Sequence, residues 1–211
     1  MEAKSIYEDG VLKLMLCNPG EHAEAVKGAF YHEDGDFYVK EFTGKFQNAD
    51  KIMKNFEHLA PMMFEKGDWE KALLFIAETC QKNRLVWFLT GSACDAVRGI
   101  DIYPHDLDIE IYSKHWKKSE EVFEDYIIEP YIDTKGWARD NFGRLVVENT
   151  QIDVVADARY DLPKHEYEPY MWKGYRLWLE PFNDRYKTEI TRDRKDRITK
   201  FIEFLKSSGI E

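Results

Sequence analysis

The sequence is poor in the features that usually decide a protein's class. Cysteine occurs only three times, as Cys17, Cys80 and Cys94. An odd count, at spacings unlike those of metal sites, excludes a disulfide framework and argues against zinc, so reduced thiols in a cytoplasmic protein are the expectation. No apolar run approaches the roughly 20 residues that a membrane helix needs; residues 85–89 are only strand-sized. Residues 1–5 form no apolar signal core. Basic residues are outnumbered, with Lys+Arg at 30 against Asp+Glu at 40 and a formal net charge of −10. That deficit speaks against gripping duplex nucleic acid by counterion release. A small anionic substrate is still compatible with it, because a local metal ion or basic cluster can invert the local field. Internal repeats and low-complexity tracts are also missing.

What is present is a folded chain. Its 211 residues are 44% hydrophobic and 15% aromatic, enough to bury a core in one ordinary domain or in a compact domain with a small appendage. Two β-like runs, at residues 11–17 and 37–46, flank the turn signal Glu33-Asp34-Gly35-Asp36. Ile52, Phe56, Leu59, Ala60 and Met63 then fall on one face of a helix. Trp69, Leu73, Ile76, Ala77 and Cys80 mark a second helix, with Asp68 as its expected N-cap. An apolar strand over residues 85–89 runs into Thr90-Gly91-Ser92 and a short helix at 93–97, which Gly99 ends. Residues 106–111 alternate strictly, with Asp106, Asp108 and Glu110 on one face and Leu107, Ile109 and Ile111 on the other. A helix is expected at 116–126. Hairpins are expected from 144–148 and 151–156, turning at Asn149-Thr150, and from 170–172 and 175–179 across Lys173-Gly174. A helical tail carries Ile198, Phe201, Ile202 and Leu205 on one face. The expected class is α+β: a mixed sheet flanked by helices (residues 66–180), a β-rich N-terminal segment with a helix (1–65) and a helical tail (181–211). No flexible linker divides them.

The chemistry concentrates between residues 89 and 109. Asp106 and Asp108 are two apart on a strand and so share a face, where two like charges repel unless a cation lies between them. Mg²⁺ commonly takes one or two carboxylates together with substrate phosphates. A strand that ends in Gly91-Ser92 and opens a helix offers backbone N–H groups to an anion. Gly91 permits close backbone approach, and Ser92 can donate its hydroxyl. Alone, Asp-x-Asp is a common polar strand face and Gly-Ser an ordinary capped turn; in this order they form a phosphate seat followed by a metal seat. A third acid would complete a two-metal arrangement. Asp153, a lone acid in the apolar run Gln151-Ile152-Asp153-Val154-Val155, is the candidate, with Asp157 ranked below it at the strand's end.

This series resembles the signature of the DNA polymerase beta-like nucleotidyltransferase superfamily. That signature is an apolar strand into Gly-Gly or Gly-Ser, about a dozen residues, Asp-apolar-Asp, and a later apolar-Asp-apolar strand. Here the parts read Leu89-Thr90-Gly91-Ser92, Asp106-Leu107-Asp108-Ile109 and Ile152-Asp153-Val154. The nearest likeness is to the small prokaryotic branch around lincosamide and aminoglycoside nucleotidyltransferases, where a His often precedes the paired Asp, as His105 does. Arg194-Lys195-Asp196 is similar to a shortened form of that branch's tail motif. The resemblance covers residues 68–160 and leaves residues 1–65 without a counterpart.

The resemblance implies transfer of a nucleoside monophosphate from an NTP to a hydroxyl, releasing pyrophosphate. It implies Mg²⁺ (or Mn²⁺) on Asp106 and Asp108. It gives Asp153 the second metal and a part in deprotonating the acceptor, and gives Gly91 and Ser92 the β- and γ-phosphates. The implied acceptor is a small molecule or a protein side chain; nucleic acid and membrane are disfavoured, and an oligomer is left open. His105 is expected to orient the Asp strand. Trp172, Tyr175 and Trp178 could line an acceptor pocket but are read as core aromatics. Arg139 and Arg144 could reach a triphosphate or equally be surface charges, and residues 192–197 read as a solvated helix face; none of these is placed in the site. The competing classes are a non-catalytic binding module or antitoxin-type protein with this fold, and a metal-dependent Asp-x-Asp glycosyltransferase.

Overall fold

The computed structural model of the protein describes residues 1–136, 139–162 and 164–209. The chain is α+β. It opens with a four-stranded antiparallel sheet in the order β1-β2-β4-β3, from β1 (Glu2–Glu8), β2 (Val11–Cys17), β3 (His32–Asp34) and β4 (Phe37–Thr43). Leu12, Leu14 and Leu16 of β2 are fully buried and alternate with half-exposed neighbours, as a strand with one covered face requires. Strand β1 has little β-forming character of its own. It forms because Asp9 and Gly10 both take positive φ (52° and 76°), closing a tight hairpin that pairs it along the whole of β2. The segment Ala23–Gly28 forms α1.

Helix α2 (Ala49–Leu59) bridges the N-terminal sheet and the rest of the protein. Its buried face carries Ile52 and Phe56; Phe56 is fully buried and stacks on Tyr31 at 6.4 Å. On its other flank Asn55 donates to the carbonyl oxygens of Glu124 and Ile127. The helix ends at Leu59, and Ala60–Phe64 continues as a 3₁₀ turn. Pro61 lacks the N–H that an α-helix needs there and clashes with the preceding turn. Helix α3 (Trp69–Asn83) starts at Asp68, whose side chain accepts from the Lys71 amide at 3.1 Å as expected.

The second sheet has seven strands in the order β10-β11-β5-β6-β9-β8-β7. They are β5 (Trp87–Thr90), β6 (Asp106–Ile111), β7 (Ile127–Asp133), β8 (Asn141–Val147), β9 (Thr150–Ala156), β10 (Glu168–Trp172) and β11 (Tyr175–Leu179). Helix α4 (Gly91–Val97) follows β5, α5 (Trp116–Val122) follows β6, and α6 (Phe182–Thr191) and α7 (Lys195–Ser208) close the chain. Strand β5 runs antiparallel to β6, and β6 runs parallel to β9. The end of β5 therefore meets the starts of β6 and β9 at one end of the sheet.

The β8–β9 turn is Glu148-Asn149, both at positive φ, one residue earlier than expected. The chain crosses from β10 to β11 at Lys173-Gly174 as expected. One contiguous core unites both sheets, and a small satellite of Ile100, Ile102 and Phe201 sits beneath the last helix. Cys17, Cys80 and Cys94 are free and buried. Among the described residues no helix is long and apolar enough to cross a membrane.

Because α2 touches both sheets, Phe56→Ala should cost about 3–5 kcal/mol while leaving one cooperative urea transition. Coincident circular dichroism and tryptophan fluorescence curves would show this. Two separated transitions would mean that the N-terminal sheet unfolds on its own.

Candidate active site

Strand alternation puts Asp106 and Asp108 on one face of β6, while Leu107, Ile109 and Ile111 on the other face are fully buried. The parallel register sets Asp108 directly opposite Asp153 of β9, and Asp106 opposite Gln151. The antiparallel register sets Thr90 opposite Asp108. The three acids expected from the sequence thus share one sheet face, with Asp108 and Asp153 as ladder partners. Glu110 extends the same face but is only 2% exposed.

This crowding has an electrostatic signature. Burial first, then the charges of Asp106 and Asp153, push the Asp108 carboxyl up to about 7. Asp106 is also raised, by burial and by Asp153, with Arg144 acting in the opposite sense. Burial pushes Glu110 up to about 7 as well. Among the described residues no ion pair forms on Asp106 or Asp108.

Asp153 is placed differently. Arg144, left out of the site by the sequence reading, is 1% exposed and lies opposite Asp153 in the β8–β9 ladder. Its Nε donates to Asp153 Oδ1 at 2.7 Å and its Nη2 to Oδ2 at 3.1 Å, the bidentate fork that suits a carboxylate. Gln151 Nε2 adds a third donor to Oδ1 at 3.0 Å. Behind Arg144 stands Glu129 of β7, fully buried, which accepts from Arg144 Nη1 at 2.9 Å, Tyr31 Oη at 3.0 Å and Lys40 Nζ at 2.7 Å. Burial alone would weaken the Arg144 charge, and the Asp153 and Glu129 carboxylates more than offset that, so the guanidinium is held firmly protonated. Across four strands the row reads Asp108, Asp153, Arg144, Glu129. Tyr31 and Lys40 come from the N-terminal segment, which the sequence left without a role.

Gly91 sits at φ 66°, a conformation glycine adopts at no steric penalty. A Cβ there would lie 2.0 Å from Asp108 Oδ2, so the turn after β5 is pressed against the acid. The Gly91 amide points at Glu180 Oε2, 3.3 Å away. Ser92 is buried in the first turn of α4. Behind α4, Arg185 forks onto Asp95 and reaches Glu189, fixing the helix against α6.

Elsewhere the side chains have other duties. Asp157 is 1% exposed and tied to Arg159, which holds its carboxyl below the usual range. The His105 ring is exposed and packs edge-on to Tyr103. A cleft of about 390 Å³ opens beside it, lined by Lys66, Gly67, Tyr103 and His105. Trp172 stacks on Trp69, and Tyr175 bonds Glu78. Arg139 lies over the Tyr160 ring rather than in open solvent. In the tail, Arg194 and Arg197 lean on buried Glu189.

Asp106 and Asp108 fit a hard divalent cation. They are two unpaired carboxylates whose mutual repulsion a cation relieves, and Mg²⁺ needs no more from a protein when phosphates and water fill the rest of its shell. Among the described residues no three His, Cys, Asp or Glu side chains converge as a ready metal site.

No protein-family model matches the chain, and no curated protein matches it in sequence. Among solved structures it is similar to a putative nucleotidyltransferase from Thermotoga maritima, at 16% identity and a TM-score of 0.51. The likeness covers 66% of this chain and 93% of that one. The chain therefore has a nucleotidyltransferase-like fold.

The Asp108 carboxyl binds its proton more tightly in the folded chain than in the unfolded one. Stability from this group is present below about pH 4 and is lost as pH rises to about 7. In metal-free buffer containing EDTA, Asp108→Asn should therefore melt higher than wild type at pH 8, with the gain disappearing near pH 4. A lower melting temperature at pH 8 would show that the charge is compensated in a way this geometry does not contain.

Proposed function

We propose that the protein transfers a nucleoside monophosphate from an NTP to a hydroxyl group, releasing pyrophosphate. The observation that carries this reading is the ladder register. It aligns Asp106, Asp108 and Asp153 on one face and packs the Gly91 turn against Asp108, within a nucleotidyltransferase-like fold. In the reaction the acceptor oxygen attacks the α-phosphorus, the bond to the β-phosphate breaks, and pyrophosphate leaves. Mg²⁺ or Mn²⁺, when bound, supplies the positive charge that the triphosphate and the leaving pyrophosphate require.

The chain's own residues contribute position. Asp106 and Asp108 hold the cation on a rigid strand. Gly91, lacking a side chain, lets the turn close onto Asp108 and so brings the start of α4 beside the cation seat, where the Ser92 hydroxyl and the turn's remaining amides are the donors for a phosphate. Asp153, next to Asp108, is the nearest acceptor for the hydroxyl's proton. Catalysis by such a site is positioning and charge neutralisation. The acceptor is a small molecule or a protein side chain, in keeping with a chain of net charge −10.

A second reading, a non-catalytic binding module, is favoured by one observation: the Gly91 amide is already engaged by Glu180. Ligand binding separates the two. An NTP present at about 100 times its Kd stabilises the native state by about 2.7 kcal/mol, a readable rise in melting temperature. The expected result is a rise with an NTP that needs Mg²⁺ and is absent in Asp106→Asn. A rise with UDP-glucose alone, or with no nucleotide, would overturn the proposal. In activity, the Asp106→Asn/Asp108→Asn double variant should lose no more than either single one, because the pair acts as a unit. Full transfer activity in Asp108→Asn would contradict the mechanism.

A further inference from the structure

Lone pairs and charges in the acid row do not divide evenly among the three aspartates. A carboxylate offers about four lone-pair sites. On Asp153 three are used: Oδ1 accepts from Arg144 Nε and Gln151 Nε2, and Oδ2 accepts from Arg144 Nη2. Arg144 is not free to swing away. Its third nitrogen is held by Glu129 at 2.9 Å and by the Ala29 carbonyl at 3.3 Å, and the side chain is enclosed. Glu129 in turn is held by Tyr31 and Lys40. Asp153, Arg144, Glu129 and Lys40 together carry two negative and two positive charges and are neutral as a set. Asp106 and Asp108 lie outside this balance, and their two charges are matched by one divalent ion.

We propose that the site holds a single protein-bound cation, on Asp106 and Asp108, and that Asp153 is a positioning carboxylate kept off the cation by Arg144, which the N-terminal segment locks in place through Ala29 and through the Tyr31 and Lys40 contacts to Glu129. The inference rests on the nucleotidyl-transfer reading for the presence of the cation. It departs from the two-metal arrangement that the three acids suggest by themselves. Residues 1–65 thereby gain a role, that of holding the clamp on the third acid. Asp153 orients the row and keeps one Oδ2 lone pair for the acceptor.

Mn²⁺ titrated into the full chain and followed by electron paramagnetic resonance tests this without any turnover. Wild type should bind one Mn²⁺. Asp106→Asn and Asp108→Asn should weaken it at least tenfold, while Asp153→Asn should stay within threefold of wild type. Arg144→Gln unclamps Asp153 and should tighten Mn²⁺ at least fivefold or admit a second equivalent. Arg144→Lys, which keeps the charge, should remain at one. Should Asp153→Asn fold poorly around an unpaired Arg144, the Asp153→Asn/Arg144→Gln double variant removes both charges and should bind as wild type does. A tenfold loss in Asp153→Asn or in the double variant, or two equivalents on wild type, would overturn the single-cation inference alone. No Mn²⁺ binding to wild type, with or without NTP, would overturn the nucleotidyl-transfer reading and this inference with it.

Discussion

Arg144 is among the largest side chains in the protein with almost no exposed surface, and it carries a charge. A buried cation is tolerated only when it is surrounded by acceptors, and here two carboxylates and a carbonyl oxygen surround it. That requirement ties distant parts of the chain together. Glu129 comes from the outermost strand of the seven-stranded sheet, Asp153 from beside its centre, and the Ala29 carbonyl from the segment between α1 and β3. Removing one partner of such a pair typically costs 3–5 kcal/mol, whereas well-packed apolar residues in place of the whole set are often neutral or stabilising. Stability alone therefore gives no reason for the row to be ionic. Its alignment with Asp108 gives one under the proposed nucleotidyl transfer: the row fixes Asp153 beside the cation seat.

The same row explains why the two sheets behave as parts of one body. The N-terminal sheet packs on α2 through Phe56 and Tyr31, and Tyr31 also reaches Glu129. Packing and electrostatics thus converge on one residue. Lys40, held against Glu129 and ringed by aromatics including Phe42 and Phe142, belongs to the same joint. Burial lowers the Lys40 ammonium from its ordinary value, with Glu129 opposing the change.

Much of this was legible in the sequence, and the gaps have identifiable causes. The alternation over residues 106–111, the Asp68 cap, the Lys173-Gly174 turn and helices α3 and α7 depend on local signals, and they form where those signals put them. Strand β1 was invisible because its pairing with β2, and not its composition, makes it a strand. Helix α2 stops short because Pro61 interrupts its periodic face. Arg144 shows how much a register matters. A turn at residues 149–150 sets position 146 opposite Asp153, whereas the observed turn at 148–149 sets Arg144 there. A lone Arg and a lone Asp in the two arms of one apolar hairpin was the available signal. Glu129, Tyr31 and Lys40 could not be found by spacing at all, since 89 and 98 residues separate Lys40 and Tyr31 from Glu129. The alignment of Asp106, Asp108 and Asp153 needed only that β6 and β9 be neighbours, which the fold supplies.

The central claim is that the acid face of β6 seats a cation and a triphosphate beside the Gly91 turn. A crystal structure of the protein with Mn²⁺ and a non-hydrolysable NTP analogue, with the manganese located by its anomalous signal, tests it most directly. The account predicts a manganese peak bound to Asp106 and Asp108, with phosphates running toward Gly91 and Ser92 and Asp153 still forked onto Arg144. Manganese and nucleotide bound away from this face would contradict it.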